Sequence, residues 1–454
     1  MQGGRRVGLR TRTMFYGWFL LGASCFVDVA TAPGHSTGVN VFVEPLLKEF
    51  SLTRTSFSLH YVCALFGSAA LLPLAGIAVE RGGVRATAIA ASFAFGSALL
   101  CLSRAQSATG FALCLFAARF FGPEVMYLCS CVAVNSWFVR LRGRATAVRG
   151  IGEAFFIGFP RFGQPMIAAY GWRGAYARIA LGAAALGALG GSALRGKPEE
   201  YGLLPDGTGG DGGGRRKAPT STKLRLTVGS GRAEEPRFSG PEALRLPLFW
   251  LLVGVESMFS FAWSGLNIHI FDVFGQLGLT AAESAGMSVR MGSSIWLSMT
   301  VTGLVIDRYS VRQRLRFFAL LYALLGLILL ALVSGPLHAG EADADAGAPT
   351  ARVGLWCVCY GAVVGAQFCV RSMVAADVFG RDALPRTSSV WNAVATATSG
   401  AGPLLFGYSR DSTGGYRACV LPLVGGLLLG SAVLAVSGLP ARSAAADNSG
   451  VAED

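Results

Sequence analysis

The chain has 454 residues, of which 52% are hydrophobic and only 14% are charged, and its mean hydropathy is +0.51. Soluble proteins carry about 25% charged residues, so this composition excludes an ordinary soluble protein and indicates a membrane protein. The net charge of +13 is also typical of nucleic-acid-binding proteins. Here the basic residues lie between apolar segments, and we therefore expect no nucleic-acid partner.

Twelve segments are long and apolar enough to cross a bilayer, which takes about 20 mostly apolar residues. The first begins near Tyr16 after a short basic start, and it is too long for a cleaved signal peptide, so we expect it to be retained. Proline and glycine breaks inside several segments are tolerated where neighbouring helices satisfy the freed backbone groups. The sequence therefore predicts an all-α membrane protein with spans at 16–40, 56–79, 84–103, 108–137, 143–169, 174–194, 246–272, 284–306, 315–334, 352–377, 387–409 and 417–438.

A polar stretch rich in glycine and arginine separates the sixth span from the seventh, and its composition is typical of a flexible linker. Arginines are concentrated in this linker, before the first span and in alternate loops. The positive-inside rule therefore places both ends and the linker in the cytoplasm, and we expect the plasma membrane as the location. The predicted parts are a tail, a six-helix bundle, the flexible linker, a second six-helix bundle and a second tail, at 1–15, 16–194, 195–245, 246–438 and 439–454.

A ten-residue pattern follows the second span as Gly76–Arg85 and the eighth span as Gly303–Arg312. In each copy a glycine precedes an acidic–basic pair and a further arginine at the same spacing. We interpret the copies as equivalent cytoplasmic turns in a duplicated chain. Glu80 and Asp307 are expected to accept hydrogen bonds from the amino-terminal ends of spans eleven and five, and so to hold the cytoplasmic side closed. The predicted gate residues are Gly76, Glu80, Arg81, Arg85, Gly303, Asp307, Arg308 and Arg312.

Twelve spans in two sets of six, with G-x-x-x-(D/E)-R-x-x-x-R after spans two and eight, resemble the major facilitator superfamily over essentially the whole chain. The resemblance implies the fold of that superfamily and transport by alternating access. Three stretches are similar to the monocarboxylate and oxalate/formate branch, which implies a small organic anion as substrate. They are Tyr16-Gly17-Trp18, Glu44–Phe50 with Arg54, and Lys197–Gly207.

The chain departs from that branch at two positions. Oxalate/formate exchangers place a lysine in span eleven, but the segment from Thr387 to Tyr408 has no basic residue. Animal-type monocarboxylate carriers place an aspartate and an arginine in the middle of span eight, whereas Arg290 lies near its outer end. The resemblance therefore assigns no substrate residue by position.

Ionisable residues inside a span are costly to bury, so each is a candidate functional residue. Arg371 lies well inside span ten, near the depth at which such carriers bind substrate. A guanidinium there can bind a carboxylate through two parallel hydrogen bonds, although it can equally serve a buried ion pair. Asp28 and Glu256 have no partner close in sequence. Each either carries a proton during transport or pairs with an arginine of another helix.

Other charged residues complete this set. Glu153 follows Arg149 by four residues, so the two can pair on one helix face. Arg119 resembles the arginine motif of span four in the superfamily, and Glu124 is near enough to pair with it. His269 is either a gating or substrate residue or a hydrogen-bonded structural one. The candidate substrate and cavity residues are Arg371, Asp28, Glu256, Glu153, Arg149, Arg119 and His269.

These observations predict a secondary active transporter for a small organic anion of the monocarboxylate class, working by proton coupling or exchange. We expect a monomer in the lipid bilayer and no cofactor. We also expect no metal, because the cysteines of C-x-C pairs such as Cys129/Cys131 point to different sides of a helix and cannot bind one ion together. The alternatives are a carrier of a neutral or drug-like solute and a non-transporting receptor on the carrier fold. An enzyme is disfavoured because no paired nucleophile and base, phosphate-binding loop or metal-spaced cluster is present in the sequence.

Overall fold

The computed structural model describes residues 15–207, 238–334 and 348–439, without the side chains at 54–55, 58, 153–158, 160–161, 281–282, 285 and 348–349. Most of the predicted linker and both predicted tails therefore lie outside the described residues. The described part is built from helices and contains no strand. We number its long helices Tyr16–Thr31 (α1), Arg54–Gly82 (α2), Val84–Ser103 (α3), Ala108–Trp137 (α4), Arg142–Gly158 (α5), Pro160–Ala193 (α6), Pro247–Gln276 (α7), Ala281–Ile306 (α8), Val311–Val333 (α9), Ala348–Phe379 (α10), Leu384–Thr413 (α11) and Arg417–Val436 (α12).

The all-α fold class is confirmed, and proline accounts for several differences from the predicted spans. The first span breaks after α1 at Ala32–Gly34, where Pro33 opens a short turn of 3₁₀ helix, because proline lacks the N–H that continues an α-helix. Pro123 lies in a wider π-helical segment of α4, Phe120–Met126. The fifth span breaks near Phe159, and Pro160 starts the next helix.

The turn between spans five and six lies where the sequence predicts it, at 170–173. It falls inside α6, where Gly171 has φ 66°, a left-handed conformation that glycine adopts at low cost. The preceding part of α6 therefore continues span five, and the part after Gly171 forms span six. Span eight begins slightly earlier than predicted, because Thr280 and Glu283 form a reciprocal capping box at the start of α8.

Eight of the described helices are long and apolar enough by themselves to span a membrane, namely α2, α3, α4, α7, α8, α9, α10 and α12. Helices α1 and α5 are cut short by the breaks at Pro33 and Pro160. Large apolar side chains such as Leu181, Leu297 and Leu429 are exposed on the outside of the bundle. An apolar outer surface of this kind suits a lipid environment.

Helices α1–α6 form one bundle, which we call the amino half, and α7–α12 form the carboxyl half. The halves meet where α2 packs on α11 and α5 packs on α8, with α4 and α10 also at the interface. We use "linker face" for the face at which α2 ends at Gly82, α4 at Trp137 and α10 at Phe379, and "far face" for the opposite one. This arrangement places the buried charged residues of both halves around one central interface.

Candidate functional site

Glu256 and Arg371 form an ion pair in the carboxyl half, with 2.9 Å between Oε1 of Glu256 and Nη1 of Arg371. Glu256 on α7 is completely buried. Its Oε2 accepts hydrogen bonds from the Tyr322 hydroxyl and from Nε2 of Gln367, the latter at 2.7 Å. A buried carboxylate is tolerated when charge and hydrogen bonds compensate it in this way.

Arg371 is the more open member of this pair, since 24% of its side chain is exposed. Its Nη2 donates to Oδ1 of Asn392 on α11 at 2.9 Å. It also lies within electrostatic range of Tyr127 on α4 of the amino half. The guanidinium therefore bridges α7, α10 and α11 and faces the interface between the halves, where it can meet a negatively charged group.

A second ion pair lies in the amino half, where Nη1 of Arg149 on α5 is 3.3 Å from Oδ2 of Asp28 on α1. Nη2 of Arg149 donates to the Tyr127 hydroxyl at 3.0 Å, and its guanidinium lies 4.6 Å from the centre of the Tyr127 ring. The side chain of Glu153 is outside the described residues, so its expected pairing with Arg149 stays a prediction. Asp28 pairs with an arginine of another helix, as one of the two alternatives stated.

Each half thus has a carboxylate on its first helix that pairs with an arginine of a later helix. Asp28 lies on α1 and Glu256 on α7, which are equivalent helices of the duplicated fold. The arginines differ, because Arg149 is on α5 and Arg371 on α10. The two halves therefore compensate equivalent buried carboxylates with arginines from different helices. Of these two arginines, only Arg371 of the carboxyl half is open to the interface.

Arg119 and Glu124 pair as expected, at 3.4 Å between Nη2 and Oε1, and both are buried. Nη1 of Arg119 donates to the carbonyl oxygen of Gly34 at 3.1 Å, in the break after α1. Oε1 of Glu124 also accepts from the Thr396 hydroxyl of α11 at 3.2 Å. The pair therefore ties the break in α1 to the π-helical segment of α4, and Glu124 reaches the other half.

His269 does not contact the charged pairs of the centre. Its Nε2 is 3.1 Å from the carbonyl oxygen of Pro403 on α11, and its ring packs on Tyr416 with 5.7 Å between the ring centres. The geometry places His269 between α7 and α11 as a packing and hydrogen-bonding residue.

The predicted gate residues lie at the linker face. The Asp307 carboxylate accepts the backbone N–H groups of Gly143 at 2.7 Å and Arg144 at 3.1 Å, at the start of α5. The equivalent Glu80 forms an ion pair with Arg386 at the start of α11. Each contact joins the two halves. The four arginines of the repeat are exposed at this face, namely Arg81, Arg85, Arg308 and Arg312.

The glycine that opens each copy of the repeat lets two helices approach closely. A Cβ atom at Gly303 would lie 2.5 Å from Cβ of Ala147 and 2.6 Å from the carbonyl oxygen of Gly143. At Gly76 it would lie 2.1 Å from Oγ of Ser389. Real Cβ atoms do not approach other atoms so closely, so both positions require glycine for the halves to meet at the linker face.

A buried cluster beside the gate was not predicted. Asp377 on α10 pairs with Arg142 at 2.5 Å and with Arg314 at 2.8 Å. Arg142 belongs to the amino half and the other two residues to the carboxyl half, so this cluster also joins the halves. Asp377 is an acidic residue at the end of predicted span ten, and an ionisable residue in a span is the sequence signal that could have indicated this cluster.

The first described part of the linker region, residues 195–207, lies across the linker face, and we call it the strap. Its Asp206 carboxylate accepts the N–H groups of Val139, Arg140 and Leu141 of the amino half, at 2.8 to 3.2 Å. Glu199 binds Arg381 of the carboxyl half with both oxygens, at 2.7 and 3.2 Å, and Lys197 pairs with Asp382. The strap therefore binds both halves in this state.

Other members of the central site were missed because they are uncharged. Tyr322, Gln367 and Asn392 hold the Glu256–Arg371 pair, and Thr396 contacts Glu124. Amide and hydroxyl side chains inside otherwise apolar spans are a usable signal, although many such residues only bond to their own helix. Thr398, for example, donates to the carbonyl oxygen of Val394 in the same helix.

Two six-helix halves, buried charged pairs at their interface and contacts that close one face define a membrane carrier that works by alternating access. The sequence profile of the Major Facilitator Superfamily matches residues 19–403. The chain belongs to this superfamily, and it is a multi-pass membrane transporter and not an enzyme. The comparison with curated proteins gave no significant match.

Solved structures of this superfamily are similar over nearly the whole chain. The transporter FucP in its outward conformation has a TM-score of 0.64 and 12% identity, covering 93% of this chain and 100% of FucP. The human organic anion transporter MFSD10 has a TM-score of 0.65 and 14% identity, covering 92% and 99%. A variant of the E. coli fucose:proton symporter FucP has a TM-score of 0.59 and 14% identity, and the match covers 93% of this chain and 100% of FucP. At these identities the likeness shows the fold alone.

Proposed function

We propose that the protein is a secondary active transporter for a small organic anion, with a monocarboxylate as the substrate class, and that Arg371 binds the carboxylate. The observation that carries this proposal is the partly exposed guanidinium of Arg371 at the interface of the halves. A planar guanidinium presents five N–H donors in a fork that matches a carboxylate. Nη1 and Nη2 are oriented by Glu256 and Asn392, and this orientation reduces the entropy lost on binding.

The Glu256 carboxylate also affects whether anion transport is coupled to a proton or to a second anion. Glu256 already neutralises Arg371, so a second carboxylate on the same guanidinium adds uncompensated negative charge in a poorly solvated region. A proton taken up with the anion, or exchange of one anion for another, avoids that cost. This argument supports proton-coupled transport or exchange over uniport.

We propose further that the linker face is cytoplasmic, that the membrane is the plasma membrane, and that the carrier acts as a monomer. The cytoplasmic placement is supported by the arginine distribution, because the basic turns of the repeat lie on that face. Closure of this face through the gate, the Asp377 cluster and the strap then corresponds to a carrier closed toward the cytoplasm.

Uptake by the full-length chain in proteoliposomes tests the proposal. A panel of labelled monocarboxylates is offered with an inward proton gradient and without one, and with an internal anion for exchange. Arg371→Gln should reduce carboxylate uptake at least tenfold, whereas Arg290→Gln, an exposed arginine of α8, should leave it unchanged. Equal uptake of uncharged solutes, or full activity of Arg371→Gln, would contradict the proposal.

A further inference from the structure

Glu124 has an oxygen that no described residue uses. Both of its polar partners, Nη2 of Arg119 and the Thr396 hydroxyl, contact Oε1. Oε2 has no hydrogen-bond partner among the described residues, and it is not among their fully buried orphan atoms. A carboxylate has about four acceptor positions over its two oxygens. Glu124 therefore has one oxygen fixed by the protein, while its other oxygen has no partner among the described residues.

Glu124 belongs to the amino half and Arg371 to the carboxyl half, and both contact α11 at the interface of the halves. They lie within electrostatic range but do not form an ion pair, because each has another partner. Their contacts to α11 fix the spacing. Arg371 binds Asn392, and Glu124 binds Thr396, which lies four residues later on the same helix face. The two contact points are thus about 6 Å apart along the axis of α11.

This arrangement puts a positive group of one half and a negative group of the other half against the same helix, with contact points about one helical turn apart. We propose that Glu124 binds a cationic amine of the same molecule whose carboxylate Arg371 binds, so that the substrate is a small zwitterionic amino acid. The inference rests on the proposed function, because it takes Arg371 as the carboxylate ligand. It narrows the monocarboxylate to one that also carries an ammonium group.

The charge balance of the site supports this substrate class. Arg371 is already paired with Glu256 and Arg119 with Glu124, so the described charges compensate one another before substrate enters. A simple anion adds net charge to this poorly solvated region, whereas a zwitterion adds none. Its ammonium group donates three hydrogen bonds and would give Oε2 of Glu124 the partner that it lacks.

The short separation limits the size of the molecule. The substrate must reach two groups whose contact points on α11 are about 6 Å apart, and this spacing suits a carboxylate and an amine joined through a short carbon chain. Glycine, alanine, serine and β-alanine meet this condition, whereas an amine at the end of a long chain does not.

The test compares each amino acid with the compounds that lack one of its charges. The full-length chain in proteoliposomes is offered labelled glycine, alanine, serine and β-alanine, with propionate and ethylamine as unlabelled competitors of alanine. We expect saturable uptake of at least one zwitterion, and competition by propionate or ethylamine at least tenfold weaker than by unlabelled alanine. Absence of uptake of all four zwitterions, or competition by propionate as strong as by alanine, would overturn the inference.

Variants separate this inference from the proposed function. Glu124→Gln should raise the KM for the zwitterion at least tenfold, while Glu49→Gln, an exposed acid of the same half, should leave it unchanged. Wild-type KM in Glu124→Gln would overturn the inference. If propionate is transported and Arg371→Gln abolishes its uptake, the proposed function stands and only the inference fails. If Arg371→Gln transports every substrate normally, the proposed function fails. The competition experiment uses the unchanged chain and decides the matter even if Glu124→Gln does not fold.

Discussion

The Asp307 carboxylate at the end of α8 accepts the backbone N–H of Gly143 at the start of α5, at 2.7 Å. The first N–H groups of a helix have no partner within the helix, and its positive dipole end attracts an anion. A side chain of the carboxyl half thus caps a helix of the amino half. This contact can exist only while the linker face is closed, and several predictions concern its energy.

Asp307→Asn should shift the carrier toward the state that is open at the linker face. The asparagine keeps one acceptor oxygen but loses the charge, and a hydrogen bond to a charged group contributes about 1.5–3 kcal/mol. A loss of this size changes the population ratio of the two states about tenfold or more. A cysteine placed at Thr146, which is buried between the halves, should then be labelled faster, as read by peptide mass spectrometry. Asp411→Asn at the exposed far face is the control, and equal labelling in all three proteins would contradict the prediction.

Gly303→Val should disturb the same interface by steric overlap. The new Cβ would meet Ala147 and the carbonyl oxygen of Gly143 at 2.5–2.6 Å, and overpacking of this kind costs about 1–3 kcal/mol. The matched control is Gly292→Val in the same helix, since a Cβ there meets nothing within 4 Å. Thermal unfolding and the Thr146 labelling rate are measured on both. The prediction fails if the two valine variants behave alike.

Asp377→Asn should destabilise the protein more than loss of an exposed ion pair does. Two buried arginines, Arg142 and Arg314, would lose their carboxylate, and breaking a buried pair costs about 3–5 kcal/mol. Arg410→Gln removes the exposed pair with Asp272, and such a pair contributes about 0–1 kcal/mol. Unfolding midpoints in detergent give the comparison. Removing one arginine as well, in Asp377→Asn with Arg314→Gln, should recover part of the loss.

Glu199→Gln should weaken the hold of the strap on the carboxyl half. Glu199 binds Arg381 with both oxygens, whereas its neighbour Glu200 is also exposed and serves as the control in Glu200→Gln. We expect faster labelling at position 146 in Glu199→Gln, in the same direction as in Asp307→Asn but smaller, because the Glu199 pair is partly exposed to solvent. A larger effect of Glu200→Gln would show that the strap acts through another contact.

The helices and the gate could be predicted from the sequence because both depend on local composition and spacing. The duplicated pattern at Gly76 and Gly303 predicted the cross-half contacts of Glu80 and Asp307. The breaks in spans one and five lie at Pro33 and Pro160, which can be read from the sequence. The exact helix ends depend on how the freed backbone groups are satisfied. The π-helical segment of α4 has no sequence signal beyond Pro123.

Partners of the buried charges could not be predicted from the sequence in the same way. Asp28 and Arg149 are 121 residues apart, and Arg142 and Asp377 are 235 apart, so their pairing depends on helix packing and rotation. Arg119 and Glu124 were paired correctly because they are five residues apart on one helix. Polar partners such as Gln367 and Asn392 carry no charge, and for that reason they did not stand out in the sequence.

The two central ion pairs each lie within a single half: Asp28 with Arg149, and Glu256 with Arg371. When the halves rock against each other, each pair moves as a neutral dipole. A full elementary charge crossing the membrane would couple to the voltage by about 2.3 kcal/mol per 100 mV, but a neutral pair couples only weakly. The return of the empty carrier should therefore depend little on membrane potential through these residues, and any voltage dependence of transport would report the charge of the substrate and its companion ion.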